Sequence, residues 1–307
     1  MLKDSYTIEE KIIDVGDGHK LYAQLWGNAD AGQTIVFLHG GPGSGCGEGH
    51  KELFDATRQR VLFFDQRGAG RSTAESLLEH NTTDELVEDI TKVTDAFGIQ
   101  NFALTGGSWG SCLALAYGLK HAEKVTSMVL RGIFTGRRSE IDFIDKGQIK
   151  SFYPEVWDRF ANSVPAEFFD DPGAYHQARM FNGGDEARSA AVAYNDLEGS
   201  IMKLDDRAAL PKGIDLEAFD TRGTTIETYY LVNGCFMPDG HIIKNAAQLT
   251  MPVALVQGRY DMVCPPITAY ELNKVLPNSQ LYWTIAGHSG NDRANVDTVK
   301  ALLSDIA

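Results

Sequence analysis

The chain has 307 residues, 43% of them hydrophobic and 23% charged, a composition suited to a globular protein with a large core. With 28 basic against 42 acidic residues the net charge is −14, which disfavours nucleic acid and anionic lipid and tolerates a cationic ligand. Four dispersed cysteines, Cys46, Cys112, Cys235 and Cys264, form no C-x-x-C pair, so neither a zinc site nor a disulfide scaffold is expected.

The opening MLKDSYTIEEKIIDV lacks a basic segment followed by an apolar run, so no cleaved leader is expected. No stretch of 18 apolar residues predicts a membrane span. Reduced thiols and these absences point to the cytoplasm.

The first clear element is TIVFL, Thr34 to Leu38, a short β-branched run that ends in HGGPG and reads as a buried strand entering a turn. RVLFFD, residues 60 to 65, repeats the pattern and ends at QRGAGRS. Leu86, Ile90, Val93 and Phe97 recur at helical spacing over residues 82 to 97, and Thr83 with Glu85 supplies a start signal. FALT then predicts a strand, SCLALAYGLKHAEKV a helix and VTSMVLRG another strand. The alternation returns near the C-terminus. MPVALVQG and QLYWTI are strands, and TAYELNKVLP and DTVKALLSDI are helices.

Strands that alternate with helices predict a mostly parallel, doubly wound α/β sheet. From about Phe134 to Thr250 buried strands are missing, and aromatics and short turns are common. That stretch reads as an inserted helical cap. The expected division is a catalytic domain over residues 1–134 and 250–307 and a cap over 135–249.

Between FALT and the following helix lies GGSWGS, residues 106 to 111. The pattern G-x-S-x-G alone arises by chance in roughly one chain in ten of this size. Its setting between a strand and a helix makes it far more specific. A strand-to-helix elbow strains the serine backbone and lifts its hydroxyl above the sheet edge. Ser108 is therefore the candidate nucleophile. A hydroxyl needs a base, and in this architecture an acid and then a histidine follow the serine in the chain. Asp261 and His288 each come just after a C-terminal strand, where catalytic groups of open α/β sheets gather. His288 would take the Ser108 proton, and Asp261 would hold the imidazole. Other histidines lack such a setting. His39 shapes the HGGPG loop, and Asp65 with Arg67 and Arg71 is expected to form a structural ion pair. The oxyanion donors expected are the backbone N–H groups of Trp109 and Gly41. Cys264, three residues beyond Asp261, is either a reactive thiol or a buried inert one.

LHGGPGSGC, FFDQRGAGRST, GGSWGSCLALAYG, VLRGIFTGRRSE, QGRYDMVCP and AGHS together resemble the proline iminopeptidases, cap-bearing α/β-hydrolases that remove N-terminal proline from peptides. The resemblance covers most of the chain. It implies the same triad, Ser108, Asp261 and His288, and the same oxyanion donors, with no metal or organic cofactor. It also implies roles that the residues alone do not. AYNDLEGS places Glu198 and TIETYYLVN places Glu227 where the family binds the substrate amine. Read by themselves, both glutamates are ordinary solvated charges. GIF places Phe134 against the pyrrolidine ring. The implied substrates are small peptides or aminoacyl amides with a free N-terminal proline. Tyr194 and Leu197 stand where the family usually carries tryptophans, and Ile144 where a pocket tyrosine is common, so a roomier or less polar pocket is expected. Two other readings remain open. One is a carboxylic esterase or small amide hydrolase on the same fold, which would need no cap glutamates. The other is an inactive binding protein, which would be expected to lack a triad member or the oxyanion loop.

Overall fold

The computed structural model describes residues 5–204 and 219–306. Nine strands form a single sheet: β1 (Thr7–Gly16), β2 (His19–Gly27), β3 (Thr34–Leu38), β4 (Arg60–Phe64), β5 (Thr73–Ala74), β6 (Phe102–Ser108), β7 (Val125–Ile133), β8 (Val253–Gly258) and β9 (Ser279–Thr284). Along the sheet the order is β1-β2-β4-β3-β6-β7-β8-β9, with β5 attached to β2. The strands from β4 to β9 run parallel, whereas β1 and β2 are antiparallel.

The parallel strands form where the sequence has short apolar runs. All five residues of β3 are buried, as expected for a strand covered on both faces. On one side lie α1 (Thr83–Ala96) and α2 (Trp109–Lys120), whose buried Leu86, Ile90, Leu113 and Tyr117 join Val36, Leu62 and Leu104 in the larger core. On the other side Val299 and Leu303 pack with Ile35, Phe37, Phe63 and Val256. Helix α1 begins at Thr83, the residue of its sequence signal. Thr82 is the cap, and its N–H donates to the Glu85 carboxylate at 3.0 Å.

The antiparallel hairpin of β1 and β2 was not among the predicted elements. Its turn centres on Asp17 and Gly18, both at positive φ, a turn pair that selects hairpins. β1 exposes most of its residues. Without a buried face it carries little hydrophobic signal.

Between β7 and β8 the described chain is helical: α3 (Arg138–Asp145), α4 (Pro154–Ala161), α5 (Pro172–Met180), α6 (Gly184–Ile201), α7 (Arg222–Val232) and α8 (His241–Asn245). Helices α3 to α7 pack largely on one another, and α8 packs on α2 and on α9 (Pro266–Val275). The last helix is α10 (Arg293–Leu303). Because β3, β6, β7, β8 and β9 are parallel, the loops after them open on one edge of the sheet. That edge faces the inserted helices.

Candidate functional site

β6 ends at Ser108 and α2 starts at Trp109. Ser108 has φ 57° and ψ −128°, a backbone conformation costly for a residue with a side chain. The surrounding glycines make the elbow possible. A Cβ on Gly110 would lie 2.1 Å from the Leu38 carbonyl oxygen, and one on Gly106 2.7 Å from that same atom. The turn is also tied to its neighbour. Ser111 Oγ donates to the Ser108 carbonyl at 2.7 Å and accepts from the Phe134 N–H at 3.0 Å.

After β8 and β9 the chain brings Asp261 and His288 together. Both are buried, and His288 Nδ1 lies 2.9 Å from Asp261 Oδ2. Asp261 Oδ1 accepts from the N–H groups of Val263 (3.0 Å) and Cys264 (2.7 Å), while Oδ2 also accepts from Gln257 Nε2 at 3.0 Å. So many donors suit an ionised acceptor, which makes Nδ1 the protonated nitrogen and leaves Nε2 with its lone pair. The Gln257 amide also braces the neighbouring strand, since its Oε1 accepts from the Ile133 N–H at 2.8 Å. Arg131 donates to the His288 carbonyl.

The HGGPG loop is held by His39. Its Nδ1 lies 2.9 Å from the Gly40 carbonyl, and its Nε2 accepts from the Gln66 N–H at 2.9 Å. Burial pushes its pKa down to about 4, so the ring is a neutral structural group. Gln66 was not anticipated. Its Nε2 donates to the His39 carbonyl at 3.0 Å, and its Oε1 accepts from Trp109 Nε1 at 2.9 Å, so one amide couples the loop to the elbow. Gly41, at φ +103°, borders Ser108 in the cleft. Asp65 binds Arg71 at 2.8 Å and accepts from the Cys46 N–H at 2.6 Å, as a structural group should. Arg67 departs from its expected place. It turns away from Asp65 and forms a buried two-point pair with Asp89 of α1, at 2.6 and 2.9 Å, in which the planar guanidinium matches the two carboxylate oxygens.

A cleft beneath the inserted helices is lined by Gly41, Ser108, Glu198, Glu227 and His288. It continues into an inner cavity, where Phe134, Ile144, Tyr194 and Leu197 join Ser108, Glu198 and Glu227. Glu198 comes from α6 and Glu227 from α7. Among the described residues neither carboxylate has a hydrogen-bond donor. Burial pushes the Glu198 carboxyl upward, although His288 opposes this. Glu227 is driven well above the usual range by burial and then by Glu198. Among the described residues lining the inner cavity no lysine, arginine or histidine accompanies these two carboxyl groups, an arrangement that costs free energy until a positive group arrives.

The structure therefore brings Ser108, His288, Gly41, Glu198, Glu227 and Phe134 to one space, with Asp261 behind His288 and the Trp109 backbone at the elbow. The pocket wall carries polar groups as well as apolar ones. The Tyr194 hydroxyl donates to Asp145 Oδ1 at 3.4 Å and accepts from Gln177 Nε2 at 3.0 Å. Asp145 and Asn195 line the cavity without any sequence signal, because only the packing of α3 and α6 turns them inward. Cys264 also lines the cavity. Its thiol is buried and its pKa pushed well above the usual range, which favours the inert reading.

The α/β hydrolase fold family matches residues 33–290. A proline iminopeptidase of Xylella fastidiosa is 39% identical over 297 residues, which cover 95% of this chain and 94% of the relative. One from Arabidopsis thaliana is 38% identical, covering 91% of this chain and 75% of its own. Among solved structures, a proline iminopeptidase of Mycobacterium smegmatis superposes with a TM-score of 0.61 at 19% identity, covering 97% of this chain and 98% of its own. An esterase from Exiguobacterium antarcticum superposes equally well, with a TM-score of 0.63 at 19% identity and coverage of 97% and 99%. The structural likenesses carry the fold alone. The sequence identities, which extend over nine-tenths or more of this chain, go further: the chain belongs to the proline iminopeptidase family of the α/β hydrolases.

Proposed function

We propose that the protein is a serine aminopeptidase that releases N-terminal proline from small peptides or aminoacyl amides. Ser108 Oγ attacks the carbonyl carbon while His288 Nε2 takes its proton. Asp261 holds the imidazole and stabilises its charged form. The backbone N–H groups of Gly41 and Trp109 receive the developing oxyanion. His288 then protonates the leaving amine, and water repeats the sequence on the acyl-enzyme to release proline. No step calls for a metal or an organic cofactor. Phe134 offers its ring to the pyrrolidine, and Glu198 with Glu227 receives the ammonium. In this reading residues 1–134 and 250–307 form the catalytic domain and residues 135–249 the cap that shields the reacting bond. Residues 1–4 and 307 of the catalytic domain and 205–218 of the cap lie outside the described residues.

The observation that carries the proposal is the pair of donor-free carboxylates beside Ser108. An esterase has no use for them, and an inactive binder has no use for a histidine oriented by a buried aspartate. Among the described residues no helix is long and apolar enough to cross a membrane. With the acidic charge this supports a cytoplasmic peptidase without nucleic-acid or membrane partners.

The test compares prolyl and N-acetyl-prolyl aminomethylcoumarin amides. Acetylation removes the charge that the glutamates would meet, so the acetylated compound should be cut at least 100-fold more slowly, in line with a lost buried ion pair of about 3 kcal/mol or more. Equal rates would sink the aminopeptidase reading and leave the esterase or small amide hydrolase in its place.

A further inference from the structure

The inner cavity carries two carboxylates that the reaction above does not use, Glu140 and Asp145, and Glu140 is already held by Thr135 and the Arg137 N–H. Asp145 ends α3 and is 4% exposed, yet it lines the same cavity as Ser108, Glu198 and Glu227. Its two oxygens are unequally satisfied. Oδ2 accepts from Gln177 Nε2 at 2.7 Å. Among the described residues Oδ1 has only the Tyr194 hydroxyl at 3.4 Å, and that single O–H is divided between Asp145 and the Gly173 carbonyl at 3.3 Å. A buried acceptor held this weakly is short of a donor. The described residues lining the cavity include no lysine, arginine or histidine, and Arg138, the cation that acts on Asp145, is not among them. Its neighbours Ile141, Ile144 and Leu231 are apolar and suit methylene groups. Among the described residues no three acidic, histidine or cysteine side chains converge as a metal-binding group. The carboxylates of this cavity are thus spread along its wall, as an organic ligand with separated polar ends requires.

We propose that Asp145 is a specificity-determining residue, whose Oδ1 receives a hydrogen-bond donor carried on the side chain of the substrate's N-terminal residue, a hydroxyl or an ammonium. The inference rests on the aminopeptidase reading. Glu198 and Glu227 take the α-ammonium, the apolar wall takes the ring or methylene carbons, and Asp145 takes the far polar end. Burial raises its carboxyl to about 6, so it is ionised at and above neutral pH and prefers a cation or a strong donor. Unsubstituted proline leaves it unpaired.

Two matched substrate pairs test this: 4-hydroxyprolyl against prolyl amide, and ornithyl against norvalyl amide. The quantity read is the ratio of kcat/KM within each pair, for the wild type, Asp145→Asn and Asp145→Leu. Asp145→Asn preserves shape and guards against loss of folding in the leucine variant. The ratio of at least one pair should fall roughly tenfold or more, as expected for a hydrogen bond to a charged group. A fall confined to the ornithyl pair identifies an ammonium, and one confined to the hydroxyprolyl pair a hydroxyl. Free-amine amides that are cleaved with both ratios unmoved would overturn the role of Asp145 alone. If the wild type cleaves none of the four amides, the aminopeptidase reading and this inference fall together.

Discussion

Replacing Glu227 by glutamine should weaken catalysis on free-amine substrates and strengthen the fold. In the free protein, burial and Glu198 hold the Glu227 carboxyl well above its ordinary value of 4.5. A carboxyl whose folded pKa is raised binds its proton more tightly in the folded state. Its contribution to stability is therefore present below pH 4.5 and is lost as the pH rises through the folded value. Glutamine keeps the shape and cannot ionise. The melting temperature of Glu227→Gln should thus exceed that of the wild type by a margin that widens from acid to alkaline pH. The substrate ammonium reverses the balance, since it favours the ionised carboxyl. Removing one partner of a buried ion pair costs about 3–5 kcal/mol when nothing else meets the other charge. Here Glu198 remains, so about 2–3 kcal/mol is expected, or a fall of roughly 30- to 150-fold in kcat/KM for prolyl amides. Hydrolysis of neutral p-nitrophenyl acetate should change less than about threefold, because no ammonium is involved. Since protonation empties the site of charge, wild-type KM for prolyl amides should rise as the pH falls, and the variant should lose part of that dependence. Thermal scans from pH 5 to 9 and kinetics on both substrates supply the measurements. Equal loss on ester and amide, or a variant less stable than wild type at alkaline pH, would refute the reasoning.

Ser108→Ala should lose several orders of magnitude in kcat while circular dichroism and melting stay close to wild type; a fluorophosphonate should label the wild type at Ser108 and leave the variant untouched. Gly110→Ala places a Cβ 2.1 Å from the Leu38 carbonyl oxygen, a backbone atom that cannot swing aside. It should cost more than about 4 kcal/mol in urea unfolding or abolish soluble expression, and a near-neutral result would contradict the close packing at the elbow. Cys264 should resist N-ethylmaleimide in the native protein and react after denaturation, because its thiol is buried and pushed well above the usual pKa range. Rapid native labelling by mass spectrometry, with loss of activity, would show the thiol to be reachable.

Much of this protein is legible in the sequence, because local patterns determine much of its framework. Short apolar runs bounded by glycine, such as TIVFL before HGGPG, have little alternative to a strand covered on both faces, and β3 spans those same residues. The elbow was legible because only glycine tolerates the approach of Leu38 to residues 106 and 110. The order serine, acid, histidine along the chain followed from where parallel strands end. The hairpin of β1 and β2 escaped notice because an exposed strand carries little hydrophobic signal, although Asp17 and Gly18 marked its turn. Side-chain partners were the other gap. Arg67 sits two residues from Asp65 and yet binds Asp89, 22 positions away. Gln66, an ordinary residue in sequence, joins the loop to the elbow. Glu198, Glu227 and Asp145 are charges that most chains would leave in water, and no local pattern says otherwise. Only the packing of α3, α6 and α7 over the sheet edge encloses them with Ser108. The reason is physical: strand, turn and helix preferences act over a few residues, whereas burial and charge pairing depend on which distant segments the fold brings together.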